Sequence, residues 1–124
     1  MAQADANDWP ITVSEPEVAV RVEIEGVVVA DTQRARVLRE GTYVPRYYLP
    51  REDVRLDLLV TTDHATFCPF KGDASYWSVE LPSGTHENVV WSYEEPIDDR
   101  VDITGMLAFY NERVDLHVQD AADA

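Results

Sequence analysis

"VAVRVEIEGVVVAD", residues 18–31, decides the fold class. Val18, Val20, Val22 and Ile24 alternate with Arg21, Glu23 and Glu25, the period-two pattern of a strand with one face buried and the other wet. Gly26 permits a reversal and "VVVAD" supplies a second apolar strand, so the stretch reads as a β-hairpin whose short connection centres on Glu25 and Gly26.

The same grammar extends in both directions from this hairpin. Residues 1–16 form an acidic, proline-containing lead-in. "RARVLRE" places Ala35 and Val37 between arginines and reads as extended. In "YVPRYYLPREDVRLDLLV" two prolines five apart forbid a continuous helix, because each removes an amide donor and pushes its predecessor toward extended geometry. Pro50 suits the first position of a short helical turn, with Glu52 and Asp53 near its amino end. "SYWSVEL" and "NVVWSY" read as strands joined through "PSGTHE", with the hairpin centred on Gly84. "MLAFY", "NE" and "RVDLHV" read as a terminal hairpin, and the remaining residues 120–124 as a polar tail. About eight short strands with turns every 8–12 residues predict one mostly antiparallel β domain over residues 17–119.

Bulk composition narrows the functional classes. A chain of 124 residues is large enough for one core and too small for two. With 24 acidic residues against 10 basic ones, the net charge of −14 repels nucleic acid and anionic membranes. No apolar run reaches the roughly 18 residues of a membrane helix, and "MAQADANDWP" has neither region of a signal peptide, so a cytoplasmic protein is expected. Six of the ten basic residues, Arg34, Arg36, Arg39, Arg46, Arg51 and Arg55, lie within one 22-residue stretch, a local attraction for a small anion.

The only cysteine and the only lysine stand three apart in "TFCPFKGDASYWSV", residues 66–79. Pro69 follows Cys68 where a type I turn prefers proline, which brings Cys68 and Lys71 within about 7 Å, Cα to Cα. An ammonium beside a thiol favours the thiolate, and Gly72 lets the backbone approach a bound group, so Cys68 and Lys71 are the candidate catalytic pair. The competing reading is a buried cysteine acting as a small hydrophobe. No cofactor is expected, and no metal, because His64, Cys68, His86 and His117 lack the close pairing of a zinc site; a serine-histidine-acid triad is equally weak, because no serine sits in a Gly-x-Ser-x-Gly turn.

The aromatic residues suggest a wall. A hairpin centred on Gly84 sets Trp77 opposite Trp91 and on one face with Tyr93. These rings either fill the core or form a platform for a flat or cationic ligand, with Tyr47, Tyr48 or Tyr76 supplying hydroxyls. Tyr76 and Trp77 point to opposite faces of a regular strand, so both are core only if both faces are covered.

"VADTQRARVLRE", "VPRYYLPREDV", "TFCPFKGDASYW", "VVWSYEEP" and "ITGMLAFYNERVDL", in that order over residues 18–118, resemble the family catalogued as domain of unknown function 427. The resemblance implies a β-tent fold, two antiparallel sheets meeting at an angle with little helix. It also implies kinship with proteins that carry zinc on paired Cys-x-x-Cys motifs, which a single cysteine cannot form. Some members of the wider β-tent group bind ligands in an aromatic cage, which by analogy of fold favours Trp77, Trp91 and Tyr93 as a wall. Some labels of the family read nucleotidyltransferase. That chemistry needs a Gly-Ser turn followed by paired aspartates holding two magnesium ions, and no such pair follows a Gly-Ser here.

Three functional readings follow. The first is a small-molecule binding domain, its aromatic-walled cleft built from Tyr48, Tyr76, Trp77, Trp91 and Tyr93, with Cys68, Lys71 and Arg46 at the rim for a polar or anionic ligand. A second is an enzyme with Cys68 as nucleophile and Lys71 as its activator. The third is an interaction module that assembles as a homodimer through exposed strand edges.

Overall fold

The computed structural model describes residues 9–120. Strands β2 (Val18–Ile24) and β3 (Val27–Thr32) form the expected hairpin. Its connection is two consecutive left-handed residues, Glu25 at φ +52° and Gly26 at φ +80°, the turn whose twist matches that of the flanking strands. Strand β10 (Asp115–Asp120) adds to the other edge of β2 and completes a three-stranded sheet, β10-β2-β3.

The remaining strands are β1 (Ile11–Ser14), β4 (Arg36–Glu40), β5 (Arg46–Leu49), β6 (Leu59–Cys68), β7 (Gly72–Leu81), β8 (Gly84–Ser92) and β9 (Leu107–Phe109). They make a seven-stranded antiparallel sheet in the order β1-β4-β5-β9-β8-β7-β6. Two 3-10 turns, Arg51–Asp53 and Leu56–Leu58, connect β5 to β6. The chain is thus mainly β, in two antiparallel sheets. Among the described residues, no helix is long and apolar enough to cross a membrane.

Four local expectations are revised. Within the stretch read as a lead-in, Ile11–Ser14 pairs with β4 as an edge strand, while residues 1–8 and 121–124 lie outside the described residues. Pro50 precedes the 3-10 turn as its extended cap instead of opening it. The expected terminal hairpin does not form between β9 and β10: β9 lies between β5 and β8, and the chain changes sheets before β10. Pairing partners so distant in sequence leave no mark in local alternation.

The fourth revision reorients the aromatic wall. The β7–β8 turn is the two-residue Pro82–Ser83 link, with Leu81 opposite Gly84. Farther along, residues 87–89 of β8 oppose only Ser78, a bulge containing Asn88 at φ +54°. The resulting register sets Trp91 opposite Tyr76 and Val90 opposite Trp77. That is one residue from the expected pairing, and a one-residue slip sends a side chain to the other face. A second bulge, residues 62–64 of β6, meets the first across β7: Thr62 donates to Asn88 at 2.7 Å, and the Asn88 amide donates to Ser78 Oγ at 3.1 Å.

Both faces of the seven-stranded sheet are covered, which is why its central strands read as nearly continuous apolar runs. One face packs on the three-stranded sheet, joining Val20, Val22, Val29, Leu49, Val90 and Phe109 in a core. The other face carries Tyr48, Tyr76, Trp91, Tyr93 and Ala108, beneath Val101 and Ile103 of the segment before β9. Neighbours in sequence divide between them, Tyr48 from Leu49 and Trp91 from Val90. Each fully buried Val, Leu or Phe contributes about 1.5–3 kcal/mol, so these opposed clusters hold the sheet from both sides.

Candidate functional site

The turn from Cys68 to Lys71 forms as its proline dictates. The Lys71 amide donates to the Cys68 carbonyl at 3.2 Å, Cys68 and Gly72 pair across the reversal, and Gly72 takes φ +111°. A Cβ at Gly72 would stand 3.2 Å from Ile97 Cγ2, so the glycine serves both the turn and the close approach of residues 95–97. The reversal swings Lys71 inward, where its Nζ donates to Glu40 Oε1 at 2.7 Å and lies 5.8 Å from the Tyr93 ring centre.

Seven of the eight side chains expected at a site border one cleft of about 360 Å³: Arg46, Tyr48, Cys68, Lys71, Tyr76, Trp91 and Tyr93. Trp77 is the exception. The two-residue β7–β8 turn, whose parity the three-for-one bulge preserves, sets it opposite Val90 on the face of Val79 and Leu81, where it packs against the inter-sheet core and the Arg51 guanidinium lies 5.3 Å from its ring centre. Leu38, Glu40, Tyr43, Val44 and Tyr110 complete the lining and were not singled out from sequence. Glu40 was within reach, since Arg36, Leu38 and Glu40 share one face of a strand by alternation. Tyr110 follows the last paired residue of β9, and local pattern gives no sign that β9 lies beside β8.

The walls are tied together by ring contacts and hydroxyls. Tyr48 and Trp91 meet edge to face at 6.1 Å, and the indole Nε1 donates to the Tyr48 hydroxyl at 3.0 Å. Trp91 and Tyr110 stack at a tilt, centres 4.5 Å apart. The Tyr76 hydroxyl joins Tyr110 at 3.3 Å and Thr66 at 3.0 Å. Tyr93 has no hydrogen-bond partner for its hydroxyl among the described residues.

Burial sets the protonation of these phenols. It raises Tyr48 and Tyr93 well above the ordinary phenol range, with Cys68 and Tyr76 adding to the effect at Tyr93. Tyr110 is pushed up to about 12 by burial, with its bond to Tyr76 reinforcing the shift. All three hydroxyls therefore keep their protons at neutral pH and are available as donors.

Two cations are fixed around these rings. The Arg46 guanidinium lies 5.5 Å from the Trp91 ring centre and 5.4 Å from that of Tyr110. Its Nη1 and Nη2 hold both oxygens of Glu112, at 2.7 and 3.1 Å, and that pairing keeps the Glu112 carboxyl below its usual range. Lys71 is nearly buried and paired with Glu40, so the ammonium expected to activate Cys68 is engaged by a carboxylate. The half-buried Cys68 thiol borders the same space. The arrangement can bind, orient and donate hydrogen bonds to a small polar molecule.

Acidic residues outside the cleft that are close in sequence, Glu23 with Glu25 and Asp98 on its loop, lie in ion pairs of their own. Glu23 binds Arg21 at 2.9 Å, Glu25 binds His86 at 2.6 Å and Asp98 binds Arg100 at 2.8 Å. Among the described residues, no three His, Cys, Asp or Glu side chains are grouped to hold a metal ion.

Residues 12–120 match the model of the family described as Domain of unknown function (DUF427), and the chain belongs to that family. No curated protein matches the chain.

Proposed function

We propose that this member of the DUF427 family is a cytoplasmic small-molecule binding protein whose polar or anionic ligand lies in the aromatic-walled cleft beside the turn at residues 68–72. The observation that carries the reading is the convergence of Arg46, Lys71 and the Tyr48 and Tyr93 hydroxyls on one concave space of about 360 Å³. That volume lies in the lower part of the range of ordinary ligand pockets and suits a metabolite. Glu112 and Glu40 hold the two cations in position before a ligand arrives, which reduces the ordering cost of binding. Arg46 keeps its Nε–H outside the Glu112 pair, so an anion can share the guanidinium without displacing the carboxylate.

The test is thermal shift and tryptophan fluorescence across a library of nucleotides, carboxylates and organic cations. Saturable stabilisation by carboxylates or other anions, with a change in Trp91 emission that Arg46→Gln abolishes, is the expected result. Silence across the library overturns the reading.

Cys68 on the cleft wall supports a second reading, a thiol-dependent reaction on the same ligand. Alkylation of the native protein measured against pH tests it. A thiol that reacts only in denaturant removes this reading and leaves the binding proposal standing.

A further inference from the structure

A larger cleft, of about 800 Å³, opens elsewhere on the molecule and shares no lining residue with the first. Its floor is apolar, with buried Ala35 and the side chains of Pro16, Pro50 and Met106. Three arginines reach it from separate places: Arg34 from the β3–β4 connection, Arg36 from β4 and Arg51 from the first 3-10 turn.

None of these guanidiniums is saturated. Arg34 gives Nη2 to Asp53 at 3.2 Å, and its Nε and Nη1 make no protein contact among the described residues. Arg36 gives Nη1 to Asp102 at 2.8 Å and Nη2 to Glu15 at 3.2 Å, which leaves Nε. Arg51 gives Nε to the Gly105 carbonyl at 2.7 Å and Nη2 to Glu94 at 2.6 and 2.7 Å, which leaves Nη1. A guanidinium offers five N–H donors, so carboxylate pairing on one edge holds each arginine in place while another edge remains for an oxygen anion.

Charge balance decides what kind of anion. Against the three arginines, four carboxylates line the same cleft, Glu15, Glu17, Glu52 and Asp102, on a protein of net charge −14. A free polyanion therefore meets no net attraction. Glu15 and Asp102 are engaged by Arg36, whereas Glu17 and Glu52 have no cationic partner among the described residues. The cleft thus presents spare cationic donors and spare anionic acceptors over an apolar floor.

We propose that this cleft is a second binding site, for a zwitterion of amino-acid or short-peptide chemistry. The ligand carboxylate lies on Arg34, Arg36 and Arg51, its ammonium is taken by Glu17 or Glu52, and its hydrocarbon part rests on Ala35 and Met106.

The probe is trialanine, compared with its N-acetyl form and its C-terminal amide, each of which keeps one end charge. Titrations are followed by ¹H–¹⁵N chemical shifts and calorimetry on the full chain. Trialanine is expected to bind saturably, with shifts centred on the Gly105 and Met106 amides, and each blocked form to bind at least about tenfold more weakly. Arg34→Gln and the double change Glu17→Gln with Glu52→Gln alter exposed side chains and should each lower affinity by a similar factor, while Arg21→Gln on the three-stranded sheet matches wild type. No saturable binding, equal binding of the blocked forms, or shifts centred on Trp91 and Tyr93 would overturn the proposal. The last outcome would assign the peptide to the smaller cleft.

Discussion

Replacing Tyr48 by Phe removes one oxygen and isolates one buried donor. The Tyr48 ring is 1% exposed and Trp91 6% exposed, and the indole N–H has the Tyr48 hydroxyl as its acceptor at 3.0 Å. Phenylalanine keeps the ring volume and the edge-to-face contact at 6.1 Å, so little packing is lost. What remains is an indole N–H sealed from water without an acceptor, which costs about 1–3 kcal/mol. Against a total stability of about 5–15 kcal/mol for a domain, that is a large fraction. Urea unfolding followed by circular dichroism should show a lower midpoint at unchanged slope. The control is the same change in a Trp91→Phe background, where no donor is left to orphan and Tyr48→Phe should be nearly neutral. If Tyr48→Phe lies within about 0.3 kcal/mol of wild type, or its cost is undiminished without the indole, the bond does not support the wall.

Three other measurements probe the fold and its charges. Burial raises the folded-state pKa of Tyr48 and Tyr93, whereas both ionise near pH 10 in the unfolded chain. The stability they contribute is therefore intact below about pH 10 and lost as pH rises toward their folded values, at about 1.4 kcal/mol per pH unit for each tyrosine. Urea midpoints across that range should fall, less steeply in Tyr48→Phe, and a flat profile would contradict the burial argument. Gly72→Ala places a Cβ 3.2 Å from Ile97 Cγ2 at φ +111° and should cost about 1–3 kcal/mol, read as a lower melting temperature. Hydrogen bonds from Arg100 depress Asp98 to about 2, so NMR titration of Arg100→Gln should return this carboxyl toward about 3.9.

How far the sequence discloses this molecule depends on how local each feature is. The β2–β3 hairpin is legible because alternation and the Glu25-Gly26 pair are both local signals. So is the reversal from Cys68 to Lys71, where proline and glycine fix the backbone within five residues. Most of the cleft lining is legible as well, since aromatic and cationic side chains flank that reversal or lie on recognisable strands. Trp77 is misplaced because the β7–β8 turn is the two-residue Pro82–Ser83 link and is not centred on Gly84, a one-residue difference that sends the side chain to the other face and that the two extra residues of the bulge leave unchanged. Tyr110 and the sheet assignment of β10 depend on pairings between distant segments, and periodicity carries no information about them. Glu40 shows the middle case: alternation gives its face, but only the folded chain shows that this face meets Lys71.

The bulge at residues 62–64 also bears on how copies of the protein meet in a crowded solution. β6 is a rim strand of ten residues, and a rim strand that long, rich in threonine, would normally offer a template for another chain to extend the sheet. Its ladder is instead divided into Leu59–Thr61 and Ala65–Cys68, three and four paired residues, with Asp63 placed at the break. An approaching strand meets amides that fall out of step and a charge where contact would begin, so this margin resists the end-to-end stacking of sheets that leads to fibres. Deleting Asp63 and His64 would straighten the margin, and light scattering at high concentration should then show more self-association than in the natural chain.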